Sequence, residues 1–200
     1  MTQGFINNNF AVTLPLSVAN GGTNASTAAD ARSNLSAAVS GANGDITSLT
    51  NTTGIPLHGT NTNDDASAGY VGEYISSSIS SGSAVSLTTA TPANITSISL
   101  TAGDWDVMGL VCFTGNAATT VSAKNGWISS TSATVPTPPN SGSFWSDQLP
   151  LGAGNTVWRM SVGNIRFSLS GTTTVYLSCQ ATFAVNTYSA FGFIGARRVR

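Results

Sequence analysis

Short apolar and polar stretches alternate along the second half of the chain, beginning near Ser83 and separated by turn residues. Period-two alternation over four to ten residues, bounded by Gly, Pro, Asn and Ser, predicts β-strands. The predicted strands are Val85–Leu87, Ala93–Leu100, Trp105–Thr114, Thr120–Ser130, Phe144–Gln148, Val157–Met160, Val162–Ser168, Val175–Val185 and Tyr188–Arg198. This number of short strands favours an antiparallel β-sandwich of the jelly-roll kind, which we call the knob (84–200).

One predicted strand, Trp105–Thr114, is apolar on both faces. Its first face holds Trp105, Val107, Val111 and Phe113, and its second holds Met108, Leu110 and Cys112. The opposite sheet of a sandwich covers only one face, so the second face needs another cover. We therefore expect an oligomer in which a neighbouring subunit supplies it.

Residues 1–20 carry apolar side chains at every second position between Phe10 and Val18, which predicts an extended segment with one apolar face. Pro15 excludes a central-strand position. Such a segment needs a partner protein or copies of itself. The residues expected to make this attachment are Phe5, Ile6, Phe10, Val12, Leu14 and Leu16.

Residues 21–83, the stalk, have sparse large apolar residues. A helix is predicted over Ala28–Ala38, capped by Ser26 or Thr27, with Asp30 near its positive end. Isolated apolar residues follow, which suits a thin rod around a three-fold axis or a disordered linker. The residues expected at the axis are Leu35, Ile46, Leu49 and Ile55. The stretch 70–75 is predicted to be a first strand or a collar, and Ser76–Ser83 a linker.

Charge changes the picture, because only 8% of the residues are charged and the net charge is −1. This balance offers no basic surface for nucleic acid. No apolar run is long enough to cross a bilayer as a helix, and the N-terminus does not resemble a signal peptide. Cys112 and Cys179 lie within predicted strands and are expected to be buried free thiols, with a disulfide between them as the alternative.

Candidate catalytic groups are scattered. His58, the only histidine, lies in the stalk, where it is solvated or forms an axial cluster for an ion. Asp104 and Asp106 share a strand face, but Asp104 follows Gly103 and is expected at a turn. We predict no catalytic residue, metal or cofactor, and keep a small glycan hydrolase as a minor alternative.

Aromatic residues near the long loop from Thr134 to Leu151 are the candidate receptor-binding groups, since aromatic rings stack on sugars. They are Trp127, Phe144, Trp145 and Trp158, joined by Arg159. The alternative is that these rings form a subunit interface. Five arginines in the last 42 residues, Arg159, Arg166, Arg197, Arg198 and Arg200, are expected to pair between subunits with Asp104, Asp106 or Asp147, or to bind anionic sugars.

Two stretches carry a resemblance. Residues 14–35, LPLSVANGGTNASTAADARSNL, and 42–49, ANGDITSL, resemble a GGTG-containing stretch that recurs in bacteriophage tail fibres, with Asn24 in place of the last glycine of the turn. Asn tolerates positive φ, so we expect the turn to be kept. Residues 69–73, 100–107, 172–177 and 195–200 resemble tips of phage fibres and tail needles.

The resemblance implies a homotrimer on the virion tail, made in the bacterial cytoplasm. It implies that the N-terminus joins other tail proteins and that the knob faces a host surface glycan or outer-membrane protein. The alternative is a purely structural virion component, such as a tail needle or a head or collar decoration fibre.

Overall fold

The structure is a computed structural model that describes residues 22–35, 61–137, 143–148 and 157–200. Its contacts divide the chain into two compact units, 1–59 and 60–200. The predicted attachment residues of segment 1–20 lie outside the described residues. So do Ile46, Leu49, Ile55 and His58.

In the first unit, helix α1 spans Ala28–Asn34. The Thr27 hydroxyl caps it by accepting from the Asp30 N–H at 3.1 Å. Asn24 has φ of 52°, as expected for this turn. Leu35 forms the C-cap, so the helix ends before the predicted Ala38. The Leu35 side chain is 52% exposed, and a single copy of the chain therefore leaves this apolar group uncovered.

The second unit is a sandwich of two antiparallel sheets. Its strands are β1 (Tyr74–Ile79), β2 (Val85–Ser86), β3 (Ala93–Leu100), β4 (Gly103–Gly115), β5 (Thr120–Ser129), β6 (Ser143–Asp147), β7 (Val157–Leu169), β8 (Thr173–Ala184) and β9 (Tyr188–Arg198). The first sheet has the order β1-β9-β4-β7, with β2 also pairing with β9. The second has the order β3-β8-β5-β6. This order is that of a jelly roll, which confirms the predicted fold class.

The hydrophobic core lies between the sheets and follows the period-two pattern. Trp105, Val107, Val111 and Phe113 of β4 all have 0% exposure. From the second sheet, Leu177 of β8 packs into the same core. Alternate residues of each strand point to opposite faces, so the next residues of β4 lie on the outer face of the first sheet.

Two stretches differ from the sequence-based prediction. Ser76–Ile79, predicted as linker, belongs to β1, because the strand pairs with β9 over its whole length from Tyr74. The serine-rich sequence favours a linker there, but hydrogen-bonded pairing with a strand more than 100 residues away in sequence makes it a strand. The stretches 157–160 and 162–168, predicted as two strands, form one strand, β7. Ser161, the residue between the two predicted strands, pairs regularly with Leu110, and the register shift of this strand pair lies further along, between Val162 and Ile165.

Candidate functional site

The candidate receptor-binding residues occupy different environments. Trp127 lies on β5 with 0% exposure. Its ring packs against Phe144 of β6, with the ring centroids 6.2 Å apart. A side chain with no exposed surface offers nothing to a ligand, so Trp127 does not belong to a binding surface in this structure. The ring is covered within a single chain, which is neither the receptor-facing position nor the subunit-interface position considered for it.

The outer face of the second sheet near Trp127 is partly covered by the chain that follows β5. Trp127 faces Ser178 across the strand pair, and Ser178 faces Asn94. The Asn94 carboxamide accepts from the Ser178 hydroxyl and from the Ala133 N–H, both at 2.8 Å, and donates to Ser132 at 2.7 Å. These bonds fix the start of the long loop on this face.

Trp145 is the most exposed of the predicted aromatic residues. It lies in β6, an edge strand of the second sheet, and its side chain is 53% exposed. Its neighbour Phe144 is only partly exposed and turns toward Trp127. Trp145 therefore presents an indole at the rim of the sandwich.

Trp158 lies on the inner side of β7 with Met160, beneath a buried lysine that the sequence analysis did not single out. The Lys124 ammonium is 5.0 Å from the centroid of the Trp158 ring and 3.5 Å from Asp147 Oδ2. Lys124 has 0% exposure. The sequence contained a signal for the burial of Lys124. It lies two residues before Gly126 and four before Ile128 in β5, and this even spacing places it on the inner face of the strand.

Arg159 is exposed and follows Trp158, so the two side chains point to opposite faces of β7. Arg159 lies opposite Cys112 on the outer face of the first sheet. Burial raises the pKa of the Cys112 thiol, and the charge of Arg159 acts in the opposite direction. The five candidates therefore do not form one site: only Trp145 and Arg159 are exposed, and they belong to different sheets.

The carboxylate of Asp104 pairs within the chain. Its Oδ2 accepts from Arg166 Nη2 at 2.9 Å and also contacts Arg200 Nε. Hydrogen bonds from Arg166, which has the larger effect, and from Ser168 lower the pKa of the Asp104 carboxyl. Asp104 lies inside β4 rather than at a turn, since Gly103 already belongs to the strand. The predicted turn position is therefore wrong, and Asp104 Oδ2 has two arginine partners within the chain.

A second ion pair joins Glu73, just before the first strand of the sandwich, to Arg198, at the end of its last strand. Arg198 of β9 donates from Nε to Glu73 Oε2 and from Nη1 to the Ala102 carbonyl, both at 2.8 Å. Its guanidinium lies 4.3 Å from the centroid of the Trp105 ring. The Gly69 N–H and Arg198 lower the pKa of the Glu73 carboxyl. Arg198 is thus a structural residue of the base of the sandwich.

Both cysteines are free and buried, as predicted. Burial raises the pKa of Cys179 to about 12. Within the described ranges, no group of three or more His, Cys, Asp or Glu side chains is arranged to hold a metal ion. None of the helices in that part of the chain is long and apolar enough to cross a membrane.

No protein-family model matches the chain, and no curated protein matches it. Solved structures similar to it include the structure of the Gx strain of infectious bursal disease virus, at 13% identity and a TM-score of 0.41 over 72% of this chain and 37% of that one. Another is the crystal structure of the VP2 subviral particle of the same virus, at 15% identity and a TM-score of 0.40 over 72% and 37%. The chain thus spans little more than a third of these capsid proteins.

Proposed function

We propose that the protein is a component of a bacteriophage virion, a tail fibre or tail tip protein that attaches the particle to the host cell surface as a homotrimer. Its GGT-containing stretch, whose turn holds Asn24 at positive φ, supports the assignment to a fibre. The observation that carries receptor binding is the exposed indole of Trp145 on the edge strand β6. No catalytic step belongs to the proposal.

A host surface glycan is the ligand class that Trp145 fits best. The flat indole stacks on the apolar face of a sugar ring and gains contact area at a small cost in side-chain entropy. The base of β6 is held by the Lys124–Asp147 pair, which keeps the edge strand against the sheet. A rigid support for an exposed aromatic ring is what a weak, repeated sugar contact requires, and three copies would multiply its strength.

Binding of the labelled full chain to a panel of bacterial strains, and to lipopolysaccharide purified from those that bind, tests the proposal. We expect saturable binding that Trp145→Ala weakens about tenfold, the effect of losing roughly 1.4 kcal/mol of stacking. Tyr70→Ala is the matched control, since Tyr70 is an aromatic residue with 69% exposure elsewhere in the unit.

Three outcomes oppose the proposal. An absence of saturable binding to every strain of a broad panel would favour the purely structural virion component. Equal binding by Trp145→Ala and the wild type would remove β6 from the receptor surface. Release of oligosaccharide from host polysaccharide by the full chain would instead make the protein a hydrolase.

A further inference from the structure

The two outer faces of the sandwich have opposite chemistry. The outer face of the second sheet is polar, with hydroxyl and amide groups from β3 and β8: Ser97, Ser99, Thr174, Tyr176, Gln180 and Thr182. The outer face of the first sheet is apolar at its centre. We define this apolar face by Tyr74, Met108, Leu110, Phe191 and Phe193.

The side chains of the apolar face converge. Leu110 lies opposite Phe193, and Met108 lies opposite Gly195. A side chain at Gly195 would collide with the ring of Tyr74 and would come within 2.8 Å of Phe193 Cζ. The two rings therefore occupy the space above Gly195 and form a continuous surface with Met108. In a single chain this surface is open, because Met108 is 45%, Tyr74 37% and Leu110 36% exposed.

Charged groups border the apolar face at both ends. Asp106 and Arg197 lie opposite each other at one end, and Arg159 lies opposite Cys112 at the other. Within the described part of the chain, these three groups take no part in the ion pairs, which join other residues. The face thus offers one acid and two cations around an apolar centre, and two copies of it can supply each other with opposite charges.

The size of the face suits a subunit contact. β4 has 13 residues, so it is about 43 Å long at about 3.3 Å per residue. Strands β4, β9 and β7 lie side by side at spacings of about 4.8 Å, so the outer face of the first sheet, with the apolar face at its centre, presents roughly 600 Å² in projection. A stable protein interface buries about 800 Å² on each partner.

We infer that this face of the first sheet is the surface on which a second copy of the chain packs in the assembled protein, while the polar face of the second sheet stays in solvent. The inference rests on the proposed homotrimer. It extends the cover expected for the second face of β4 to the side chains of β1 and β9 and to a charged rim. It places Met108 and Leu110 at the centre of that contact and Asp106, Arg159 and Arg197 at its rim.

Oxidation of methionines in the full chain by dilute hydrogen peroxide, followed by mass spectrometry of peptides, tests the inference. Sedimentation velocity on the same sample gives the mass of the assembly. We expect an oligomer in which Met108 oxidises as slowly as Met160, which is only 4% exposed within one chain. Leu110→Glu places a charge in the contact and should raise the Met108 rate at least tenfold. Thr174→Glu, on the polar face, should leave that rate unchanged.

The outcomes separate this inference from the proposed function. An oligomer in which Met108 oxidises much faster than Met160 overturns the inference and leaves the homotrimer standing. A monomer with reactive Met108 overturns both. A monomer with protected Met108 shows that another segment of the same chain covers the face, and also overturns both. The wild-type rates decide the question without Leu110→Glu, so failure of that variant to fold does not affect the test.

Discussion

Arg198 illustrates how one residue joins distant parts of this chain. Its guanidinium combines an ion pair with Glu73, a bond to a turn carbonyl and stacking on the buried Trp105. A planar guanidinium with several donors suits such a position, because it satisfies several acceptors while its face covers an aromatic ring. Glu73 lies just before β1 and Arg198 ends β9, so the pair closes the first sheet at its base.

The Glu73 pair predicts a pH-dependent stability. The pKa of Glu73 is lowered in the folded chain, so its contribution is present above the unfolded pKa and is lost as pH falls through the folded pKa. The free energy of unfolding in urea should therefore decline as the pH falls below about 4.5, the ordinary pKa of a glutamate carboxyl. Glu73→Gln should lower it by about 1 kcal/mol at neutral pH and flatten the acid decline.

Two other acidic residues help to interpret the pH dependence of Glu73→Gln. Asp104 also has a lowered pKa, so part of the acid decline should remain in Glu73→Gln. Asp65→Asn is the control, since Asp65 is exposed and its loss should leave the pH profile unchanged. A Glu73→Gln profile parallel to that of the wild type would contradict the assignment.

At the scale of elements, β6 is a short strand at the edge of the second sheet. It has five residues and pairs only with β5, along one edge. Lys124 and Asp147 are directly opposite in that pairing, so their ion pair fixes the register of β6. The ammonium is buried over Trp158, where removal of a nearby opposite charge is costly.

Asp147→Asn should therefore destabilise the fold by about 3 kcal/mol, because it takes a negative charge away from a buried ammonium. The double variant Lys124→Met and Asp147→Asn should recover most of that loss, since it removes the buried charge as well. Urea unfolding of Lys124→Met, of Asp147→Asn and of the double variant measures the coupling free energy between the two residues. A double variant less stable than Asp147→Asn would contradict a role for the ion pair.

At the scale of the whole molecule, the distance between the two sheets depends on glycines that face the core. Gly109 of β4 faces the second sheet: a Cβ there would lie 2.9 Å from Leu177 Cδ1 and 3.1 Å from the Phe193 carbonyl oxygen. A Cβ at Gly126 of β5 would likewise lie 3.0 Å from Met160 Sδ and 3.0 Å from Val111 Cγ2. The absence of side chains at these two glycines leaves room for Leu177, Met160 and Val111 between the sheets.

Gly109→Ala should destabilise the sandwich by about 1 to 3 kcal/mol, because the added methyl group overpacks the inter-sheet space and meets a backbone atom that cannot turn away. Gly171→Ala is the control, since a Cβ at that position meets no atom within 4 Å. Thermal unfolding of the two variants measures the difference. An equal melting temperature for both would show that the sheets adjust freely.

The sequence by itself determined most strands of the knob and the alternation of buried and exposed residues along them. Ala93–Leu100 and Tyr188–Arg198 begin and end where they were predicted, because period-two alternation reflects the two faces of a strand directly. It also determined the capped helix, since capping is a local interaction. The apolar second face of β4 was visible in the sequence for the same reason.

Only the tertiary structure decided what distant strands do to each other. Serine-rich β1 is a strand because β9 pairs with it, and Trp127 is buried because Phe144 and the surrounding sheet cover it. Asp104 pairs within the chain with Arg166 of β7 and with Arg200, which follows β9, and both are remote in sequence. Candidate site residues close together in sequence, Trp158 and Arg159, are separated by a sheet, because neighbouring residues of a strand point in opposite directions. Those assignments depend on pairing order, which no local pattern encodes.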